Sequence, residues 1–307
     1  MGKVLVTGGA GFVGSHLTNA LETVGRDVII LDNLSTGDVD NLHGTSAELV
    51  VGSVEDAALV EKCAQNCDTI FHLAALVSVP ISFEEPELCS AINIGGTENV
   101  LHVAERLKIK KVIYMSSASV YGSNPILPQR EDDTPAPESP YAKSKLESEW
   151  MCNDWSERTN GYAVSVRLFN GFGHRQRADS QYGAVIPRFL KTALDKKPIT
   201  IFGNGEQTRD FIFIDDVVQA LLRFMDCDFS GIVNLACGQE TSILQLANMT
   251  REILKTDIPI VFKDKRKGDV HRSVADVSRL KKLGFQARFE IYKGIKITLD
   301  AMRNGCG

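Results

Sequence analysis

The stretch Lys3-Val4-Leu5-Val6-Thr7-Gly8-Gly9-Ala10-Gly11-Phe12-Val13-Gly14 decides how this chain folds. Its first five residues make a short apolar run of the kind found in strands buried on both faces. Glycines at 8, 11 and 14 follow. A helical pattern then runs to Gly25, with Val13, Leu17, Ala20, Leu21 and Val24 recurring at three- and four-residue steps. Strand, glycine-rich turn and helix N-terminus form a place where backbone N–H groups can reach a pyrophosphate with no side chain in the way. A glycine pattern alone is a weak signal; its position between a strand and a helix makes it specific.

The same alternation continues. Residues 27–31, 48–51, 69–73, 111–115 and 163–169 read as further short apolar strands, separated mostly by helix-length segments. Such a rhythm implies a parallel sheet with right-handed crossovers, hence an α/β, Rossmann-type, doubly wound domain. A polar, proline-rich stretch at 124–140 reads as a surface loop leading into a helix at 141–159. Beyond Asn170 the rhythm is irregular: a loop over 171–182, a helix over 185–194 and strands over 211–214 and 232–235. The expected division is a dinucleotide-binding domain over 1–169 and a smaller C-terminal α+β substrate lobe over 170–307, the chain returning to the large domain near 211–236.

Composition narrows the function classes. The chain has 307 residues, 43% hydrophobic and 24% charged, ordinary for a globular protein and unlike a disordered chain or a coiled coil. With 34 basic and 39 acidic residues the net charge is −5, which argues against a nucleic-acid partner. No apolar run reaches the ~18 residues of a membrane span, and a strand from Lys3 leaves no stretch for a signal peptide. Seven cysteines are scattered singly, apart from Cys63 and Cys67, so reduced thiols and a cytoplasmic setting are expected, with no metal site.

Asp32 ends the second strand ~20 residues after the glycine turn, where a carboxylate accepts hydrogen bonds from the adenosine ribose hydroxyls. It would repel a 2′-phosphate, and Asn33 and Leu34 supply no cation, so NAD is favoured over NADP. Tyr141 and Lys145 lie four residues apart, on one face of a helix. A free phenol, with a pKa near ~10, is a poor base at neutral pH; a fixed ammonium beside it favours the phenolate. Ser116, Ser117 and Ser119 follow the fifth strand, and a hydroxyl at that sheet edge faces the ligand crevice.

Together these features resemble the extended short-chain dehydrogenase/reductase superfamily, along nearly the whole chain. More narrowly they resemble its nucleotide-sugar 4-epimerases, which act on UDP-glucose or UDP-N-acetylglucosamine. Asp32-Asn33-Leu34-Ser35-Thr36-Gly37 is similar to their adenosine loop, and His72-Leu73-Ala74-Ala75 to their strand near the nicotinamide ribose. Asn93-Ile94-Gly95-Gly96-Thr97 resembles their Asn-x-x-Gly-Thr, and Phe169-Asn170 the Phe-Asn after their sixth strand. Thr208-Arg209-Asp210-Phe211 and Arg266-Lys267-Gly268-Asp269 resemble the segments that hold the nucleotide diphosphate. Two positions depart from the pattern: Ser53 stands where an acidic residue is usual, and Val77 where some members have Lys.

The resemblance implies Ser117, Tyr141 and Lys145 as catalytic residues. It implies a cofactor surface of Gly8, Gly11, Phe12, Val13, Gly14, Asp32, Asn33, Ser35, Thr36, Gly37, Ser53, Val54, Leu73, Ala74, Ala75, Asn93, Ser116 and Phe169, with Tyr141 and Lys145. For a UDP-sugar it implies Ser117, Ser119, Tyr141, Asn170, Ala184, Val185, Thr200, Phe202, Arg209, Arg266, Asp269 and Ser273. The implied reaction inverts C4 of the hexose through a transient 4-keto sugar. Nucleotide-sugar 4,6-dehydratases, the nearest rival reading, carry an Asp-Glu pair after the strand-end hydroxyl, and UDP-glucuronate decarboxylases usually have Glu where Ser119 stands; here the residues are Ala118 and Ser119. A 4-keto-sugar reductase or a non-catalytic NAD-sensing protein are the other readings. Relatives pair two long helices, here 88–107 and 141–159, across a two-fold axis, so a homodimer through positions such as Leu101, Ala104 and Trp150 is expected. Ser273 replaces the bulky tyrosine of epimerases restricted to glucose and galactose, which implies room for an N-acetyl group.

Overall fold

The computed structural model describes residues 2–124, 126–177, 184–265 and 270–304. The first half runs β1 (Lys3–Thr7), α1 (Phe12–Thr23), β2 (Asp27–Asp32), β3 (Glu48–Val51), α2 (Ala57–Ala64) and β4 (Cys67–His72). Helices α3 (Val79–Glu84) and α4 (Pro86–Ser90) lead through a π-turn at Ala91–Gly95 into α5 (Gly96–Arg106). Then come β5 (Lys111–Ser117), α6 (Pro140–Thr159) and β6 (Tyr162–Leu168). The second half runs β7 (Asn170–Phe172), α7 (Val185–Leu194), β8 (Ile199–Phe202), β9 (Thr208–Arg209), β10 (Phe211–Phe213) and α8 (Ile214–Met225). It ends with β11 (Gly231–Leu235), β12 (Thr241–Ser242), α9 (Ile243–Leu254), β13 (Ile260–Lys263), α10 (Ser278–Lys282) and α11 (Ile291–Arg303).

Seven strands form one parallel sheet in the order β11-β6-β5-β4-β1-β2-β3. The chain therefore has the α/β, Rossmann-type fold expected of its sequence. The strand order reverses between β1 and β4, and a ligand crevice lies beyond the C-terminal ends of such strands. Alternate side chains go to opposite faces. Val4 and Val6 join a core with Leu17 and Leu21 of α1 and Leu221 of α8, whereas Leu5 joins Val60 of α2, Val100 of α5 and Trp155 of α6. The smaller sheets pair β7 with β10, β9 with β12 and β8 with β13.

Several expectations need correction. The stretch 171–182 does not begin as a loop: Gly171 and Phe172 belong to β7, drawn into register with Ile212 and Phe213. Ile214 caps no strand but starts α8. The helix expected over 88–107 is interrupted by the π-turn at Ala91–Gly95. The 124–140 segment is not all surface, because Gln129 and Glu131 are buried and Gln129 bridges to Ala275. Leu101 and Ala104 face the sheet and are used up in its core, so only Trp150 of the three suggested contact positions is exposed. Among the described residues no helix is long and apolar enough to cross a membrane, and no group of His, Cys, Asp and Glu could hold a metal.

Candidate active site

The glycine turn is shaped by close approach. Gly8 has φ +72°, and a Cβ there would lie 2.7 Å from the Ala74 nitrogen. A Cβ on Gly14 would lie 2.1 Å from the Gly8 carbonyl oxygen, so only glycine lets α1 begin so near the turn. Asp32 is buried at the end of β2, where its Oδ2 accepts from the Ala10 amide at 2.9 Å and its Oδ1 from the Leu34 amide at 2.8 Å. The carboxylate and the turn are thus one rigid unit. Phe12 and Val13 pack partly into the core. Asn33, Ser35 and Thr36 are exposed around Gly37, with Asn33 Oδ1 accepting from the Ser35 hydroxyl at 2.7 Å. Ser53 bonds Glu55 at 2.9 Å, and Val54 is buried against Gly96.

The next layer follows β4. Thr7 Oγ1 lies 2.8 Å from His72 Nδ1, and His72 Nε2 lies 3.1 Å from Thr97 Oγ1, whose hydroxyl donates to the Asn93 carbonyl at 2.6 Å. Burial, helped by the nearby Lys145 ammonium, pushes the His72 imidazole down to about 3, so it stays neutral and serves as a strut. This strut, with Thr7 accepting from the Ala74 amide at 3.3 Å, fixes the start of the Leu73-Ala74-Ala75 segment. Asn93 sits in the π-turn, a distortion often found at functional sites. Its side chain accepts from the Leu76 amide at 2.7 Å and donates to Ser144 Oγ at 2.9 Å, so it joins the 73–76 segment to α6.

Three elements bring the catalytic candidates together. Ser117 ends β5 and caps a 3-10 turn, accepting from the Ser119 amide at 3.1 Å. Ser139 caps α6, with Pro140 in its first turn, which starts the helix just before Tyr141. Lys145 lies one turn on; its Nζ donates to the Met115 carbonyl at 2.8 Å and stands 5.9 Å from the centre of the Tyr141 ring. Burial pushes the Tyr141 phenol up, opposed by a hydrogen bond from Ser117. Burial also pulls Lys145 down to about 8, opposed by Cys89, Cys152 and Glu149. Ser119 Oγ is shielded from solvent and has no hydrogen-bond partner. Ser116 points away from this cluster, donating to Glu149. Phe169 is buried beside Tyr121, with ring centres 6.1 Å apart.

The candidate substrate residues of the second half lie on separate elements. Asn170 Nδ2 donates to the Asp210 carbonyl at 3.0 Å. Arg209 Nη1 donates to the Thr208 carbonyl at 2.8 Å and the Val270 carbonyl at 2.7 Å, which ties it to the segment leading to Ser273. Ala184 and Val185 open α7, Thr200 and Phe202 lie half-buried on β8, and Ser273 is buried. Arg266 and Asp269, and the run 178–183, lie outside the described residues.

Three further groups had no role assigned from sequence, although Asp210 stood in the Thr208–Phe211 motif. Asp210 is fully buried and accepts from the amides of Cys237, Gly238 and Ala275; burial raises its carboxyl to about 6. Glu149 and Arg167 form a buried two-pronged ion pair at 3.0 and 2.8 Å. Glu149 falls eight residues after Tyr141 and four after Lys145, a same-face spacing that could have marked it.

Residues 4–236 match the NAD dependent epimerase/dehydratase family. The UDP-glucose 4-epimerase of Mycolicibacterium smegmatis is 34% identical over 310 residues, covering 98% of this chain and 99% of that protein. UDP-glucuronic acid decarboxylase 4 of Arabidopsis thaliana is 31% identical over 312 residues, covering 98% of this chain and 68% of that protein. Among solved structures, the UDP-N-acetylglucosamine 4-epimerase of Methanobrevibacter ruminantium, in complex with UDP-N-acetylmuramic acid, superposes with a TM-score of 0.96 at 36% identity, covering 99% of each chain. A glycine turn joined to a buried aspartate, a Ser-Tyr-Lys cluster at the open sheet edge and these matches agree: the chain belongs to the NAD dependent epimerase/dehydratase family.

Proposed function

We propose that this enzyme is a UDP-sugar 4-epimerase that inverts C4 of a UDP-hexose with NAD. One observation carries the reading over decarboxylation or dehydration. Ser117, Tyr141 and Lys145 stand together, while the positions that would need a carboxylate for those reactions hold Ala118 and Ser119.

The glycine turn and Asp32 fit NAD: the turn is clear of side chains, and the Asp32 carboxylate is held at the end of β2. Held there, NAD would supply reversible hydride acceptance at C4. Tyr141 receives the proton of the 4-hydroxyl and gives it back. Ser117 hydrogen-bonds both the phenol and the C4 oxygen. Lys145 keeps a positive charge beside the phenolate, and Ser119 offers its unpartnered hydroxyl to the sugar. Arg209, with Arg266, anchors the diphosphate through charge-assisted hydrogen bonds while the sugar turns over. Ser273 leaves space for an N-acetyl group, so UDP-glucose, UDP-galactose and their N-acetyl counterparts are all substrates. A second copy of the chain pairs through α6 and the α4–α5 helix, where Trp150 and Leu88 are 62% and 41% exposed.

Proton NMR of UDP-glucose and of UDP-N-acetylglucosamine incubated with the protein tests this. Both C4 epimers are expected at equilibrium from each sugar. A 4-keto-6-deoxy product, or carbon dioxide from UDP-glucuronate without any epimer, overturns the reading.

A further inference from the structure

A buried polar row crosses the sheet behind the catalytic cluster. Ser116 of β5 is in register with Arg167 of β6, which is in register with Asn234 of β11. All three are buried and lie on one face of the sheet, and α6 lies across β5 and β6. Glu149 of α6 accepts from Ser116 and, at 3.0 and 2.8 Å, from Arg167. The Arg167 guanidinium stacks 4.7 Å from the centre of the Tyr121 ring, and the Tyr121 hydroxyl donates to Asn234 Oδ1 at 2.6 Å.

The row continues into the second lobe. Asn234 Nδ2 donates to the carbonyls of Gln129 at 2.9 Å and Asp276 at 3.2 Å. The Gln129 amide donates to the Val274 carbonyl, and the Asp276 amide to the Gln129 carbonyl, each at 2.8 Å. One end of the row is therefore next to Ser117 and on the helix of Tyr141 and Lys145. The other holds the strap 273–276, which begins with Ser273. An isolated buried ion pair often adds little stability over an apolar substitute, and it is best attested as a device for fixing register.

We propose that the row Ser116–Arg167–Asn234, with Glu149 and Tyr121 stacked on it, is a positioning device that holds the strap 273–276 of the second lobe at a set distance from the catalytic groups. It rests on the reading of Ser117, Tyr141, Lys145 and Ser273 as one active site. Tyr121 and Asn234 are its positioning residues and touch no substrate. Misplacement of a reacting carbon lowers turnover even when binding is kept. The nucleotide is held by other elements, so loosening the row should reduce kcat and spare KM.

The test uses Tyr121→Phe, which keeps the ring over Arg167 and removes one hydroxyl, and Asn234→Ala, which removes the link to the strap. Hydrogen exchange is read at the amides of Gln129 and Asp276, with the β1 and β4 amides as internal reference. In both variants the two amides should exchange about fivefold faster, the loss of one net hydrogen bond, with the reference unchanged. With UDP-glucose, kcat should fall about tenfold and KM stay within about twofold. If Asn234→Ala does not fold, Tyr121→Phe carries the test alone. Unchanged exchange at both amides, a rise shared equally by β1 and β4, or faster local exchange with unaltered kcat overturns the proposal. If the wild-type protein turns over no UDP-sugar, it is the functional reading that fails, and exchange alone then tests the tie.

Discussion

Tyr141 is buried, and burial pushes its phenol up so that less of it ionises at neutral pH; a hydrogen bond from Ser117 opposes this, and the Lys145 Nζ stands 5.9 Å from the ring centre. Tyr141→Phe removes only the ionisable oxygen. Turnover should fall ~10²–10⁴-fold, the usual worth of general acid–base catalysis, with fold and NAD retention kept. A variant with more than half the wild-type rate would contradict the role. His72 makes a different prediction. Its native imidazole resists protonation down to about 3 against an ordinary 6.5. Between those values the unfolded chain binds the extra proton, so stability is full above pH 6.5 and is lost as pH falls through the window. The slope reaches at most about 1.4 kcal/mol per pH unit for one such group. His16, held near 3 mainly by burial, adds a loss of the same sign. Urea midpoints measured from neutral pH downward should therefore decline, and less steeply in His72→Gln; an identical slope in the variant would remove His72 from the explanation.

Among the elements, α1 is the one whose start is most constrained. Gly14→Ala would place a methyl 2.1 Å from the Gly8 carbonyl, within backbone that has nowhere to move. Overpacking of this kind costs about 1–3 kcal/mol, and the displaced turn should also lose NAD; calorimetry of cofactor binding and a thermal melt check both. The strands of the large sheet were legible because each is a short apolar run, mostly buried apart from the edge strand β3, and the glycine turn was legible because its conformation demands particular residues. Strands β7, β9 and β12 were not, since strands of two or three residues have no periodicity and exist only through long-range partners, although β10 was expected within 211–214. The π-turn at Ala91–Gly95 was likewise not expected from the sequence. The gathering of Ser117, Tyr141 and Lys145 could be expected from spacing and resemblance, but the part Asp210 plays could not, because it gathers amides from positions 237, 238 and 275.

At the level of the whole chain, the proposed reacting groups stand at the C-terminal edge of β5 and on α6, and Ser273 lies on the segment 273–276 that pairs with Gln129. Ser273→Tyr should suppress turnover of UDP-N-acetylglucosamine about tenfold or more while sparing UDP-glucose, because filling a pocket rejects the larger sugar far better than an empty pocket rejects the smaller one. Equal loss on both sugars would mean that the strap is disturbed as a whole. The proposed chemistry oxidises and reduces one carbon within a closed site, and isotopic labelling reads that out. UDP-galactose deuterated at C4 should yield UDP-glucose with the deuterium still on C4 and none in solvent. Deuterium lost to water, or a product altered at another carbon, would contradict inversion at C4 by Ser117, Tyr141 and Lys145.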